Sequence, residues 1–264
     1  MLSTVYASRY IKKMGSGRNL PCLIECERED GSTVEVVVKY SCTLFEKEKN
    51  LAIEAIVAML AADLGLPVAE PFVVQLSEDF IQTVNEAPIA SNLSNSCRQA
   101  FGSALLTGGA TAWLQGQTVA PGQSQLAAEI AVFDQIIINS DRLPRNPNLL
   151  FRDNTLLMID HELSLGLNQV LFWREPWVDG GLSDLEGRER HIFARPYFET
   201  PVTSLERFDA AWQSLPPTRF KDYLTALPSS WVYDETKLQE ILNYLMDVQR
   251  NIGSITKNAL RVFA

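Results

Sequence analysis

Between Asn139 and Asn148 the sequence reads Asn-Ser-Asp-Arg-Leu-Pro-Arg-Asn-Pro-Asn, and two short apolar runs follow, Leu149 to Phe151 and Leu156 to Ile159, the second ending on Asp160. Asp153-Asn154 between the runs is a two-residue hairpin signal. With those two residues as the loop, position 147 pairs with 160 and 148 with 159, so Asn146, Asn148 and Asp160 converge at the open end of the hairpin. Carboxylate and amide oxygens gathered at one strand end are the hard ligands that magnesium takes when phosphates complete its shell. Asp141 stands five residues before Asn146. A carboxylate there can orient an attacking hydroxyl or accept its proton. The same residues also suit an Asx-rich loop whose side chains only cap turns.

Aspartate, four residues, asparagine, hairpin, aspartate is the order in which phosphoryl-transfer enzymes of the protein-kinase type present their catalytic and metal-binding groups. Such chemistry needs a strand lysine on the phosphates and a helix glutamate to orient it. Val36-Val37-Val38-Lys39 supplies the lysine, and alternation puts Val37 on its face, where an apolar side chain can roof an adenine ring. Glu54 is acidic between Ile53 and Ala55 in the largely apolar stretch from Leu51 to Leu64, and it can either pair with Lys39 or face solvent. Gly15-Ser16-Gly17 is either an ordinary turn or a backbone cradle for phosphates.

The elements that must position these groups are legible in outline. Leu20 to Glu27 and Val34 to Tyr40 are rich in β-branched residues and flank the turn Glu29-Asp30-Gly31-Ser32, which predicts a hairpin. Ile53, Val57, Leu60 and Leu64 recur at helical spacing and stop at Gly65 and Pro67, and Pro71 to Leu76 reads as a further strand. A Ser-, Asn- and Gly-rich stretch of about 85–125 reads as the connection, with a short element at Phe101 to Leu106. Beyond it, Leu126 to Ile138 is an apolar helix. A capping box of Thr203 with Glu206, a start at Pro216-Pro217, and the face traced by Leu238, Ile241, Leu242, Leu245, Val248 and Ile252 predict three more. The expected fold is α+β and bilobal: a small β-rich N-lobe of about 1–100 and a larger, mainly helical C-lobe of about 126–264, within one domain.

Composition narrows the chemistry further. The 264 residues carry 23 Lys and Arg against 32 Asp and Glu, a formal charge of −9, which argues against a surface for nucleic acid. The start lacks the apolar core of a signal peptide, and no run reaches the roughly 20 apolar residues of a membrane helix. Cys22, Cys26, Cys42 and Cys97 sit in no metal-ligand spacing and His161 and His191 are the only histidines, so zinc is not expected and a reduced, cytoplasmic setting is.

Four blocks resemble the HipA-like kinase domain family, which groups with HipA toxins and, more distantly, with phosphoinositide kinases. They are the glycine loop with Val37-Val38-Lys39; Ile53-Glu54-Ala55 through Leu64-Gly65-Leu66-Pro67-Val68; Asp141-Arg142, Arg145-Asn146-Pro147-Asn148-Leu149-Leu150 and Ile159-Asp160-His161; and Leu227-Pro228-Ser229-Ser230-Trp231. The third is the most specific. The resemblance implies a protein-kinase-like fold and an ATP- and Mg2+-dependent phosphotransferase. The expected acceptor is a protein serine or threonine, with a small molecule or lipid head group, or a non-catalytic partner-binding module, as alternatives. It implies that Gly15, Ser16, Gly17, Val37 and Lys39 contact ATP and that Glu54 pairs with Lys39. Asp141 is then the catalytic aspartate, Asn146 and Asp160 bind magnesium, and Asn148 is a further ligand. His161 is expected to be structural, and Arg142 to brace its loop from an exposed position. The sequence departs from the family in lacking an Ala-Pro-Glu after Asp160, and it is shorter than full HipA toxins, whose extra N-terminal region is expected to be absent. A toxin or defence role follows from family association alone. Trp173, Trp177, Arg188, Arg190 and Arg195 lie in an irregular stretch, 171–198, that is either a substrate-reading surface or packing.

Overall fold

The computed structural model describes residues 2–15, 19–106, 108–152, 155–167 and 173–264. The chain divides into two compact units, one made of Met1–Met59, Ala69–Thr107 and Tyr223–Glu235, the other of Leu60–Val68, Gly108–Asp222 and Thr236–Ala264.

The first unit is built on β1 (Ser3–Lys13), β2 (Cys22–Glu27), β3 (Thr33–Lys39), α1 (Glu48–Asp63), β4 (Pro71–Gln75), α2 (Glu78–Gln82), α3 (Ala87–Ser94) and β5 (Gln99–Ala104). The five strands close into a barrel in the order β1-β2-β3-β5-β4. Every neighbouring pair is antiparallel except β1 with β4. The expected hairpin is β2 and β3, in register from Cys22 opposite Val38 to Glu27 opposite Thr33. Ahead of it lies a strand the sequence pattern does not announce, β1, so the glycine segment connects two strands. The barrel core is Val5, Cys22, Ile24, Cys26, Val36, Val38, Phe72, Val74 and Ala100. Gly102 on β5 is required there: a β-carbon would sit 2.6 Å from Val74 Cγ2 and closer still to Val36 Cγ1. The first unit also takes in 223–235, where Trp231 Nε1 donates to the Gln99 carbonyl at 2.9 Å.

The second unit holds β6 (Thr111–Ala112), α4 (Ser124–Ile136), β7 (Leu149–Arg152), β8 (Thr155–Met158), α5 (Glu206–Ser214), α6 (Pro217–Thr225) and α7 (Glu235–Phe263), the last two being shared with the first unit at one end. The three strands form a small sheet in the order β6-β7-β8. The apolar stripe of α7 is buried from Leu238 through Phe263. Tyr244 on that helix donates its hydroxyl to the Ile136 carbonyl at 2.6 Å, tying α7 to the end of α4. The expected capping box at α5 is not formed. Ser204, not Thr203, provides the contact, its Oγ accepting the Glu206 N–H at 3.2 Å, and no side chain caps the helix at Leu205. Among the described residues no helix is long and apolar enough to cross a membrane.

Candidate functional site

In the first unit the alternation of β3 sends Val36 and Val38 into the barrel core and leaves Val37 and Lys39 half-buried on the opposite face. Lys39 Nζ lies 2.9 Å from Glu54 Oε2, with 13% and 6% of the two side chains exposed. That burial matters, because an ion pair so far out of water holds its geometry where an exposed one frays. Helix α1 is buried continuously from Asn50 to Ala61, so Glu54 has no solvent face to occupy. Between β1 and β2, Gly15 adopts φ +55°, the left-handed region open to glycine, and nothing lies within 4 Å of where a β-carbon would be. Its neighbour Met14 donates its N–H to the Pro21 carbonyl at 2.7 Å. Ser16 and Gly17, expected with it on phosphate, lie outside the described residues.

In the second unit the segment after α4 is organised around Asp141. Asn146 Nδ2 and Asn148 Nδ2 both donate to its Oδ2, at 2.9 and 3.0 Å. Asn139 Oδ1 accepts the Asp141 N–H at 3.1 Å. Leu143 and Asn146 exchange backbone hydrogen bonds of 3.1 and 2.9 Å, a tight turn that brings Asn146 back toward Asp141. The hairpin then pairs Leu149 with Met158 and Arg152 with Thr155. Extended by one step, the Ile159 N–H donates to the Asn148 carbonyl at 3.1 Å, so Pro147 and Asp160 fall opposite each other, as the loop arithmetic requires.

Left-handed backbone clusters here. Ile138, Asn148, Asp160 and Leu165 have φ of 57°, 45°, 64° and 55°. Asn and Asp tolerate that region, but a β-branched isoleucine in it is strained, at a cost of about 1–3 kcal/mol. Such strain persists where the surroundings over-determine the backbone, a frequent property of reaction centres.

Arg142 corrects an expectation. It is not exposed: its side chain is 0% accessible. It does brace the segment, because Nη1 donates to the Asn148 carbonyl and, at 3.4 Å, to the Ile159 carbonyl. His161 is buried beside Asp160. Glu162, which the sequence pattern does not single out, is buried too, and a carboxylate oxygen of it lies within 4.8 Å of one from Asp160. The signal is an acid two residues beyond Asp160, next to His161.

The donor set fits magnesium. Each amide that donates through Nδ2 to Asp141 keeps its Oδ1 for another partner, and with the Asp160 carboxylate these are hard oxygens without a thiolate among them. In 171–198, Trp173 meets Tyr244 on α7 edge-on and Trp177 meets it at a tilt, with centroids 5.8 and 6.0 Å apart. Arg188 lies over the Tyr197 ring and Arg195 Nε donates to the Ala264 carbonyl at 3.0 Å. Both tryptophans are half-buried, and Arg190 is exposed.

The crystal structure of the Helicobacter pylori proinflammatory kinase CtkA aligns with 98% of this chain and 98% of its own, with a TM-score of 0.53 at 11% identity, a likeness that shows the fold. The MAP kinase LmaMPK10 from Leishmania major aligns with 98% of this chain and 82% of its own, with a TM-score of 0.29 at 14% identity. No curated protein matches. The family model described as HipA-like kinase matches residues 8–261. That match spans the Lys39–Glu54 pair, the Asp141 cluster and the hairpin ending on Asp160, and the chain belongs to the HipA-like kinase family.

Proposed function

We propose that the protein is an ATP- and magnesium-dependent phosphotransferase whose acceptor is a serine or threonine hydroxyl of a protein. The observation that carries the reading is the double amide clamp on Asp141: Oδ2 accepts from both Asn146 and Asn148, which holds the carboxylate in one orientation and leaves Oδ1 to face an acceptor. Asp141 orients the hydroxyl and takes its proton as the hydroxyl oxygen bonds to the γ-phosphorus and the bond to the β-phosphate oxygen breaks, releasing ADP. Lys39, oriented by Glu54, contacts the phosphates, Val37 covers the adenine, and the Gly15 turn with Ser16 and Gly17 offers backbone N–H groups to phosphate oxygens. Asn146 and Asp160, with Asn148 as a further ligand, are the residues that hold magnesium. When bound, the metal neutralises charge on the transferred phosphoryl group. The reading includes a cytoplasmic setting, where ATP is supplied.

Incubation with γ-labelled ATP and cell lysate, wild type beside Asp141→Asn, tests it. Label on a protein band that disappears with the variant is the expected result. Label confined to small molecules or lipid moves the acceptor to that class, and no label in either fraction overturns phosphotransfer.

A further inference from the structure

One fully buried carboxylate lies behind the whole reaction segment. Asp134, near the end of α4, uses its two oxygens in different directions. Oδ1 accepts Asn139 Nδ2 at 2.8 Å, and Oδ2 accepts Arg142 Nε at 2.6 Å and faces His191 Nε2 at 3.0 Å. Asn139 passes the constraint to the Asp141 N–H, and Arg142 passes it to the Asn148 and Ile159 carbonyls. Through two intermediaries, then, one carboxylate fixes the backbone at Asp141, at Asn148 and immediately before Asp160.

His191 completes the arrangement from a segment more than forty residues downstream. Its Nδ1 accepts the Phe193 N–H at 3.0 Å, so the ring proton sits on Nε2 and donates to Asp134. The adjoining Ile192 N–H donates to the Arg142 carbonyl at 3.3 Å. Phe193 and Trp113, with centroids 5.3 Å apart, are both buried there, and in such a dry environment hydrogen-bond geometry is enforced strongly. Burial alone would raise the Asp134 pKa, but the Arg142 charge and the His191 hydrogen bond outweigh it and hold the group ionised, at about 2.

As a device for stability the arrangement is wasteful. Among the described residues Arg142 Nη2 is buried with no hydrogen-bond partner, and a buried ion pair with a donor left over is often less stable than apolar packing of the same volume. What it does supply is a rigid strut between α4 and the two strand ends that carry the proposed metal ligands.

We propose that His191 and Asp134 are positioning residues for phosphoryl transfer, holding Arg142 as the strut that sets the backbone from which Asn148 and Asp160 project. The inference rests on the kinase reading above. Residues that orient metal ligands from behind typically change metal affinity or activity about 10- to 100-fold when lost.

The test is a magnesium titration of nucleotide binding, followed by thermal shift at fixed ATP, with phosphate-transfer rates measured in parallel. In His191→Ala the magnesium concentration for half-maximal binding is expected to rise about 10-fold or more, with kcat falling alongside. His191→Gln, whose side-chain N–H can replace Nε2–H, is expected to restore most of both. Should the alanine variant fail to fold, His191→Asn takes its place, since it keeps an acceptor for Phe193 but loses the donor to Asp134. A lower melting temperature with an unchanged magnesium dependence in the alanine or asparagine variant overturns the positioning role. Wild-type protein that binds nucleotide no better with magnesium than without it instead overturns the kinase reading, and the inference with it.

Discussion

Asn148 Nδ2 donates to Asp141 Oδ2 at 3.0 Å from the far side of a turn, while the Asn148 backbone sits at φ 45°. The side chain and the backbone conformation therefore do separable jobs, and substitution can tell them apart. Asn148→Ala removes a hydrogen bond to a charged group, worth about 1.5–3 kcal/mol, and adds left-handed strain. Asn148→Gly removes the bond and relieves the strain. Both are expected to lower kcat by about 10-fold, with the glycine variant the more stable. Initial rates and urea unfolding check this; a glycine variant with wild-type kcat would remove Asn148 from the clamp. Asn146→Ala is expected to lower kcat and also to raise the magnesium requirement.

The Lys39–Glu54 pair should behave as a coupled unit. Removing either partner takes a close counter-charge away from a largely dehydrated group, which for buried pairs costs about 3–5 kcal/mol. With 13% of the lysine side chain still exposed, the lower end is expected. Lys39→Met combined with Glu54→Leu is expected to cost less than the sum of the singles, as read from a double-mutant cycle in urea. Additive losses would mean that the pairing carries no energy. Lys39→Met should also weaken ATP binding.

Acid should find Asp134. Its carboxyl is held at about 2 against an ordinary 3.8, because the Arg142 charge and hydrogen bonds outweigh the opposing effect of burial. A depressed carboxylate pKa contributes stability above the unfolded value and loses it as pH falls through the folded one, here between about 4 and 2, for a contribution on the order of 2 kcal/mol. In Arg142→Met the carboxylate loses its opposing charge, its folded pKa rises, and the midpoint of acid unfolding is expected to move to higher pH. Identical midpoints in the two proteins would count against the pair as the source.

Gly102→Ala is expected to destabilise the barrel by about 1–3 kcal/mol, the usual cost of overpacking, because Val36 and Val74 already occupy the space. Urea unfolding measures it. A neutral effect would show that the barrel wall gives way easily.

How much of this could be read from sequence depended on whether the information was local. The hairpin register followed from a two-residue loop, because one loop length admits one pairing, and Leu149 opposite Met158 obeys it. The long last helix was equally plain, since its stripe is uninterrupted. Strand β1 escaped because of its residues only Val5 is fully buried, so it shows no apolar alternation. The burial of Arg142 is not local information, because it depends on Asp134, a partner on the preceding helix that has no marker of its own in sequence. His191 was invisible as part of the site for the same reason at longer range: the hydrogen bond joining it to Asp134 spans 57 positions.

Closure of the five-stranded barrel has a consequence for how other proteins can engage this one. Where neighbouring strands pair on both sides, as they do on β3 over Val36–Val38, the sheet has no edge on which a peptide could be added as a further strand. In the three-stranded sheet the outer positions belong to β6, two residues long, and β8, four residues long, and β8 already bridges Val68 through Met158. A protein acceptor of the kind proposed would therefore not be held by strand addition along that part of the barrel.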